Sequence, residues 1–153
     1  MKRKTLEAIL MTVTGLAVLA NFYFLNRFHV PGKLQNILEI FGWIFFGIAG
    51  LMIILSISTL RRKGTGEVID TGIYSITRHP LYLSGIIFFI GHIFFCLHWV
   101  VAAVALTGIA CIYITMILEE KTLMEKFGDN YKNYMRKVPR ANVLLGIIRF
   151  IRR

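Results

Sequence analysis

Two short polar clusters carry most of the chemistry available to this chain. Arg78 and His79 stand directly before Pro80 and a long apolar run, and Glu119 and Glu120 stand at the end of the next apolar run. Proline favours the first position of a helix, so the first cluster is predicted to lie at a helix N-terminus, which favours an anion. Two carboxylates at a helix C-terminus oppose the helix dipole and favour a cationic partner: a bound cation, Arg78 or the donors of a ligand. Together the clusters fit a zwitterion with an amino and a carboxylate group, or an amino acid linked to a ribose.

Each cluster also has a simpler interpretation. Arg78 can serve as a positive anchor at a membrane boundary, and His79 as a solvated loop histidine. Glu119 and Glu120 can mark the point where an apolar helix reaches water. A glycine-rich segment, Gly64-Thr65-Gly66, suggests phosphate binding, but it lacks a third glycine, a preceding strand and a following helix start, so a flexible linker is favoured.

The composition decides which class of protein must position these clusters. The chain has 153 residues, 56% hydrophobic and 17% charged, with 18 Lys and Arg against 8 Asp and Glu and a net charge of +10. Its mean hydropathy is +0.65. The apolar content excludes intrinsic disorder, and the hydropathy argues against a nucleic-acid-binding module, so no nucleic-acid partner is expected. Cys96 and Cys111 lie in apolar runs, which excludes a disulfide scaffold. A small integral membrane protein remains.

Four apolar stretches are long enough to cross a bilayer, which needs about 20 helical residues. They cover residues 6–25, 37–60, 81–98 and 99–118. The third and fourth follow each other almost without a linker, which predicts a tight antiparallel hairpin. Small residues that would permit close approach of these two helices are Gly85, Gly91, Ala103, Gly108 and Ala110. The predicted fold is all-α, a polytopic membrane helix bundle of four spans in a single domain.

The basic residues set the orientation of these spans. With a cytosolic N-terminus, 16 of the 18 Lys and Arg fall on the cytosolic side, in residues 2–4, 61–80 and 119–153, which leaves Arg27 and Lys33 outside. Both termini are therefore predicted to be cytosolic, with the positive charge in contact with anionic headgroups. The first apolar stretch does not resemble a signal peptide. The compact chain favours a prokaryotic inner membrane, or the endoplasmic reticulum in a eukaryote.

The two polar segments, 61–82 and 119–140, then lie on the same side of the membrane and next to each other. In the second segment, a helix is predicted from an apolar stripe formed by Leu123, Phe127, Tyr131, Tyr134 and Val138. Pro139 would end this helix, which is expected to lie along the interface or to cap the open end of the hairpin. The tail, 143–153, is expected to form a basic interfacial anchor or a short fifth membrane-associated helix.

The remaining histidines and the two cysteines are expected to have structural roles. His92 falls in the middle of a span, where an ionisable residue is a functional candidate by default, but a neutral histidine bonded to a neighbouring helix is favoured. The four histidines are scattered, and the two cysteines lie in separate spans. They lack metal-ligand spacing, so no metal site is expected.

The two polar segments together resemble a known superfamily. TGIYSITRHPLY, followed by an apolar hairpin and EEKTLMEKFGDNYKNYMRKVPR, is similar to the isoprenylcysteine carboxyl methyltransferase and phospholipid methyltransferase superfamily of membrane enzymes. The resemblance covers residues 64–140 and implies S-adenosylmethionine as the cofactor. It divides the single membrane domain of residues 1–153 into the first two spans (1–60), a cofactor-binding core (61–140) and a basic interfacial tail (141–153).

The resemblance also implies a cytosolic cofactor pocket made by the two segments. In it, His79 would lie near the methionine carboxylate, and Glu119 would hold the amino group or the ribose hydroxyls with support from Glu120. The residues implied in cofactor binding are Val68, Ile69, Tyr74, Arg78, His79, Pro80, Leu81, Tyr82, Glu119 and Glu120. No catalytic base is assigned, because the methyl group of a sulfonium is already activated and catalysis is mostly alignment.

The methyl acceptor stays open at this stage. Members that act on prenylcysteine carboxylates tend to carry Arg one turn before the paired glutamates, where this chain has Thr115, and many members have Pro where it has Ile73. Prenylated thiol compounds, phosphatidylethanolamine-like amines and small lipophilic thiols or acids all fit as acceptors that enter from the bilayer. A reductase of the steroid 5α-reductase type is disfavoured because no acidic residue follows Tyr82 closely. A non-catalytic membrane scaffold is the third alternative.

Overall fold

The computed structural model describes residues 3–28, 32–64 and 66–151, and all of the regular secondary structure in these ranges is helical. The elements are α1 (Arg3–Phe28), α2 (Lys33–Lys63), a 3-10 helix (Gly72–Ser75), α3 (Pro80–Phe95), α4 (Trp99–Lys137) and α5 (Val143–Ile151). These ranges contain no β-strand, which confirms the all-α prediction. Four residues used in the sequence interpretation lie outside the described residues: Lys2, Thr65, Arg152 and Arg153.

Three helices in the described ranges, α1, α2 and α4, are long and apolar enough to cross a membrane. The predicted spans 6–25 and 37–60 lie within α1 and α2, and 99–118 is the apolar part of α4. The helix in the predicted third span, 81–98, is shorter than the sequence predicts. α3 ends at Phe95 and has 16 residues. A helix of that length rises about 24 Å, less than the bilayer core of about 30 Å.

α3 ends early because the chain turns within three residues to begin α4. Cys96 is extended, with φ −152° and ψ 106°. The last carbonyl groups of a helix have no partner inside it. The Gln35 amide of α2 donates to two of them, those of Phe94 at 3.2 Å and Phe95 at 2.6 Å. The His98 imidazole accepts a backbone N–H of α4 at 3.2 Å. Gln35 therefore satisfies the end of α3, and His98 caps the start of α4.

α3 packs against both α2 and α4, and α1 packs against α4. Two glycines allow α3 and α4 to approach closely. A Cβ atom at Gly85 would lie 2.9 Å from Cδ1 of Ile112, and a Cβ atom at Gly108 would overlap the ring of Phe89. The prediction that small residues permit the close approach of these two helices is therefore correct for Gly85 and Gly108.

The same prediction is wrong for the other three small residues. A Cβ atom at Gly91 would lie 2.8 Å from the ring of Phe46, so this glycine faces α2 and not α4. Ala103 and Ala110 are exposed, whereas Ala105 is completely buried. The spacing of small residues indicates that a helix has a close neighbour, but it does not indicate which neighbour or which face.

Many large apolar side chains of α1 and α2 are exposed. Leu19 is 67%, Trp43 65% and Ile54 63% exposed. The central buried cluster is small by comparison and consists of Ala17, Phe89, Ala105, Ile112 and Met116. Extensive exposed apolar surface on long helices is typical of segments that face lipid, where apolar side chains carry no hydration cost.

His92 lies where α1, α2 and α3 meet and is completely buried. Its Nδ1 atom is 3.1 Å from the carbonyl oxygen of Phe88, one turn earlier on the same helix. The predicted bond to a neighbouring helix is therefore wrong. The ring instead packs edge-on against Phe22 of α1, with centroids 4.9 Å apart, and beside Phe46 of α2 at 5.0 Å. His92 thus connects three helices through ring contacts.

The apolar stripe runs along the last turns of α4 and across a break in its backbone at Gly128. The φ of 55° and ψ of −128° of this residue are not helical and are accessible at low cost only to glycine, so the residues after it form a second helical segment at an angle to the first. The stripe packs together with the segment between α2 and α3, in a cluster of Val68, Leu123, Phe127, Tyr131, Tyr134 and Val138. The stripe therefore covers part of the segment that leads into α3. α4 ends at Lys137, two residues before Pro139.

The C-terminal tail forms α5, whose apolar residues Ile147, Ile148 and Phe150 are exposed. α5 contacts the rest of the molecule through Gly146, because a Cβ atom there would overlap the carbonyl group of Ile76. Ile76 directly follows the 3-10 helix, so α5 packs on the backbone of the segment that leads into α3.

Gly146→Ala is expected to detach α5 from this segment and to lower the free energy of unfolding by about 1–3 kcal/mol, as overpacking does. Unfolding by sodium dodecyl sulfate and protease cleavage before α5 would measure the two effects. Gly15→Ala is the matched control, because Gly15 is helical with open space around it among the described residues. The control should be neutral or stabilising. Equal effects of both substitutions would contradict the contact through Gly146.

Candidate functional site

A cavity of about 330 Å³ lies where α2 ends, α3 begins and the apolar part of α4 gives way to polar residues. Its wall combines aromatic and aliphatic side chains with a few charged ones. The lining residues are Leu60, Glu67, Val68, Ile69, Tyr74, Arg78, His79, Leu81, Tyr82, Glu119, Leu123, Lys126, Phe127, Tyr131 and Tyr134. The cavity therefore lies between the two polar segments singled out in the sequence.

Most of the predicted site residues surround this cavity. The eight that line it are Val68, Ile69, Tyr74, Arg78, His79, Leu81, Tyr82 and Glu119. Pro80 and Glu120 are buried but are not among the described residues on its wall. Pro80 is the first residue of α3, and Glu120 lies behind the wall as the partner of basic groups.

His79 stands between the two glutamates at the start of α3. Its side chain is 4% exposed, and its backbone carbonyl accepts the Leu83 N–H at 2.9 Å, which is the first hydrogen bond of the helix. Nε2 is 3.2 Å from an oxygen of Glu120, and Nδ1 is 3.6 Å from an oxygen of Glu119. The interpretation of His79 as a solvated loop residue is therefore wrong.

Glu120 is a buried carboxylate, 3% exposed, with three basic partners. Arg78 Nη1 is 3.1 Å and His79 Nε2 3.2 Å from Oε1, and Arg140 donates from Nε at 3.0 Å and from Nη2 at 2.6 Å. A buried ion costs several kcal/mol in desolvation and persists only when it is paired and hydrogen-bonded. Arg78 therefore belongs to a buried ion-pair cluster and is not a free anchor at the membrane surface.

Arg140 is the functional candidate that the sequence interpretation missed. It lies directly after Pro139, which was assigned only the role of ending a helix. The hydrogen bonds to Glu120 raise the pKa of the Arg140 guanidinium, and the Tyr113 hydroxyl accepts a further bond at 3.2 Å. A signal was present, since two carboxylates at a helix C-terminus need a cation. The sequence offers Arg78 for that role, and the fold adds the guanidinium of Arg140.

The residues after α4 also hold the segment before α3 in place. The Pro139 carbonyl accepts the Arg78 N–H at 3.1 Å. The Arg140 carbonyl accepts a hydrogen bond from the Thr77 hydroxyl at 2.8 Å. The backbone of Pro139 therefore fixes the position of Arg78, and the side chain of Arg140 fixes that of Glu120.

Several buried polar atoms at the cavity have no hydrogen-bond partner among the residues that the structure describes. They are Nε and Nη1 of Arg78, Oε2 of Glu119 and Oη of Tyr131. Buried polar groups are hydrogen-bonded in the great majority of cases, so the presence of such atoms on three residues of one cavity indicates a place for the polar groups of a ligand. Arg78 offers donors and Glu119 an acceptor. The donor set thus fits a ligand with both an anionic and a cationic group.

The tyrosine hydroxyls at the cavity remain protonated near neutral pH. Burial, reinforced by the charge of Glu119, raises the pKa of Tyr74 to about 12. Burial also raises the pKa of the Tyr131 hydroxyl, and the charge of Glu120 acts in the same direction. The Tyr134 hydroxyl donates to the Tyr74 carbonyl at 2.6 Å. These phenols therefore serve as neutral donors and as aromatic surfaces.

A second and more polar cavity of about 520 Å³ adjoins the first. The residues that line both are Glu67, Val68, Phe127 and Tyr134. The others on the second wall are Gly66, Asp70, Asn130, Asn133, Lys137 and Val138. An apolar cavity beside a polar one suits an elongated ligand with both kinds of surface.

Across residues 3–28, 32–64 and 66–151, no cluster of three or more His, Cys, Asp or Glu side chains is placed to hold a metal ion.

Thr115 of α4 does not line the cavity. It is buried and its hydroxyl donates to the Cys111 carbonyl at 2.8 Å. Its hydroxyl is thus already used within α4.

The amino-acid sequence is similar to those of known methyltransferases. A sequence profile of the phospholipid methyltransferase family matches residues 37–130, more than half of the chain and including both polar clusters. The chain is also similar to the methanethiol S-methyltransferase of Pseudomonas deceptionensis, with 37% identity over 73 residues that cover 43% of this chain. The matched part covers only 24% of that relative. No solved structure gave a significant match.

Arg140→Leu is expected to lower the free energy of unfolding by about 3 kcal/mol, because it leaves the buried Glu120 carboxylate without its bidentate partner. Unfolding in sodium dodecyl sulfate measures the change, and Lys121→Leu on the exposed face of α4 is the control. Adding Glu120→Gln to the Arg140 variant should recover part of the loss. A loss no larger than that of the control would show that the pair does not stabilise the fold.

Proposed function

The chain belongs to the phospholipid methyltransferase family, and from this premise we propose that it transfers a methyl group from S-adenosylmethionine to a lipophilic acceptor that enters from the bilayer. The observation that carries the proposal is the cavity beside Arg78 and Glu119, in which unsatisfied donors and an unsatisfied carboxylate oxygen occur together. The methionine part of this methyl donor carries a carboxylate and an ammonium group, which match the two kinds of atom.

The residues of the cavity bind and orient the methyl donor. Glu119 accepts hydrogen bonds from the ammonium group, and the aromatic faces of Tyr74 and Tyr82 favour a sulfonium cation. Val68 and Phe127, on the wall shared by the two cavities, exclude water from the apolar side. When bound, the cofactor supplies a methyl group that is already activated by the positive sulfur. The work of the protein is therefore alignment and exclusion of water.

We also propose that the chain crosses the membrane four times, with both termini in the cytosol. The distribution of Lys and Arg supports this orientation. In this topology, α3 crosses together with the three residues that connect it to α4, and the cavity lies at the cytosolic boundary. Leu60 and the partly exposed Leu81, both on the cavity wall, provide an apolar entrance from the bilayer.

Three classes of acceptor have separate support. The paired polar motifs favour an isoprenylcysteine-type carboxylate, the family favours a phospholipid amine, and the Pseudomonas deceptionensis relative favours a small thiol. The chain has Thr115 where an arginine would hold a carboxylate acceptor, and the hydroxyl of this threonine is bonded within α4. A carboxylate or a thiolate needs no general base, whereas an ammonium headgroup must first lose a proton. The identity of the acceptor therefore decides whether a base is needed at all.

Methyl transfer by the full chain in lipid nanodiscs is the direct test. The protein is incubated with methyl-labelled S-adenosylmethionine and, in separate arms, a prenylated thiol compound, phosphatidylethanolamine or methanethiol. We expect a labelled product heavier than its acceptor by one CH2 group in mass spectrometry. Thermal stabilisation by NADPH but not by S-adenosylmethionine would support a reductase instead. Stabilisation by neither would support a non-catalytic scaffold.

Glu119→Gln is expected to weaken S-adenosylmethionine binding by about tenfold or more, since a charge-assisted hydrogen bond contributes about 1.5–3 kcal/mol. Isothermal titration calorimetry on the purified full chain measures the affinity. Glu125→Gln is the matched control, because Glu125 is exposed and pairs with Arg3 at 2.9 Å, outside the lining of the cavity. The same affinity in both variants would rule out the role proposed for Glu119.

A further inference from the structure

α5 is an apolar helix that exposes most of its side chains. Ile148 is 49% and Phe150 53% exposed. The helix starts from its own cap, because the side-chain oxygen of Asn142 accepts the Leu145 N–H at 2.9 Å. Its nine residues rise about 14 Å, too little to cross a bilayer core of about 30 Å. An exposed apolar helix of this length fits a surface along which it can lie.

The residues that precede α5 place its start near the end of the apolar part of α4. The Arg140 guanidinium donates to the Tyr113 hydroxyl at 3.2 Å. Ala141 packs against the central buried cluster, to which Met116 belongs. Tyr113 and Met116 both lie close to the C-terminal end of the apolar stretch 99–118. Because the end of an apolar span marks the boundary between lipid and water, α5 begins at that boundary.

Positive charge accompanies this helix. Residues 132–153 contain seven Lys and Arg and no Asp or Glu. Three of the seven, Lys132, Lys137 and Arg140, share a salt bridge or a cavity wall with acidic side chains from outside this range. The other four are Arg136, Arg149, Arg152 and Arg153. An exposed apolar helix with an excess of positive charge is typical of a segment that binds an anionic membrane surface.

α5 also contacts the segment that leads into α3. A Cβ atom at Gly146 would overlap the carbonyl group of Ile76, so the helix lies directly on this backbone. Ile76 stands between Tyr74 and Arg78, which line the cavity. An interaction that holds α5 in place therefore also restrains this part of the cavity wall.

We propose that α5 is a docking surface for an anionic lipid leaflet, and that this contact restrains residues 72–79 through Gly146. The apolar side chains enter the leaflet while the arginines meet its headgroups. A second copy of the chain fits this surface less well, because two tails of the same charge repel each other. The inference goes beyond methyl transfer, since neither the lipid contact nor the restraint requires a cofactor.

Hydrogen–deuterium exchange of the full chain in nanodiscs, followed by mass spectrometry, tests both parts. Discs of phosphatidylcholine alone are compared with discs that also contain phosphatidylglycerol. We expect slower exchange in the anionic discs for α5 and for residues 72–79, with a smaller difference at high salt. Equal exchange in the two kinds of disc would overturn the docking surface. Protection that depends on the number of chains per disc, and not on the lipid, would assign the surface to a second copy instead.

Arg149→Gln tests the charge of the helix. Arg149 is exposed, and its loss should reduce the effect of anionic lipid on exchange at α5 by about fivefold. Arg27→Gln is the matched control, because Arg27 is also exposed and lies in the last turn of α1. That turn is far from α5, since the neighbouring Phe28 stacks on His98 at the start of α4. Equal reductions in both variants would reflect net charge alone and overturn the docking surface.

Gly146→Ala separates docking from restraint. In this variant, α5 should still respond to anionic lipid, whereas residues 72–79 should no longer respond. Gly15→Ala, which has open space around it among the described residues, should retain both responses. A lipid response of residues 72–79 that survives in Gly146→Ala would overturn the restraint through Gly146. Loss of the response at α5 itself would overturn docking through its exposed apolar side chains.

Discussion

The buried carboxylate of Glu120 is the interaction on which the arrangement of this site depends. It joins three parts of the chain: the residues that open α3, the middle of α4 and the segment after α4. A carboxylate at 3% exposure is stable only with its charge paired and its oxygens hydrogen-bonded. The two arginines and His79 meet this requirement together, so the start of α3, the middle of α4 and the segment after α4 must come together as one unit.

The same region divides its polar atoms into two kinds. Those that hold the chain are paired, as in the hydrogen bonds of Thr77 and Arg78 to the residues after α4. Those that face the cavity on Arg78, Glu119 and Tyr131 make no hydrogen bond within the described residues, although Arg78 and Glu119 lie close to charged neighbours. An unpaired buried polar group is costly, and this cost is recovered when a ligand of matching charge binds. The hydrogen-bonded atoms therefore hold the chain in place, and the remaining polar atoms at the cavity are left for a ligand with groups of both charges.

The fold that carries this frame is shaped by its apolar surroundings. α1 and α2 expose large side chains and bury few residues, so association of the helices depends on close packing at positions such as Gly85 and Gly108. The backbone at the end of α3 is satisfied by Gln35 from another helix. This side chain supplies the donor that the helix itself cannot supply to its last carbonyl groups.

The sequence by itself determined the features that depend on local pattern and composition. Apolar run length predicted α1, α2 and the apolar part of α4, and the dipole argument selected Arg78, His79, Glu119 and Glu120 for one site. All of these except Glu120 line the cavity. Tertiary structure decided the rest. Glu120 and Arg140 are 20 residues apart in sequence and joined at 2.6 Å, and no periodicity encodes such a contact. The helix that Gly91 faces, and the lack of a hydrogen-bond partner for the Tyr131 hydroxyl within the described residues, likewise depend on the neighbours that folding supplies. Burial and hydrogen bonding are properties of the packed molecule.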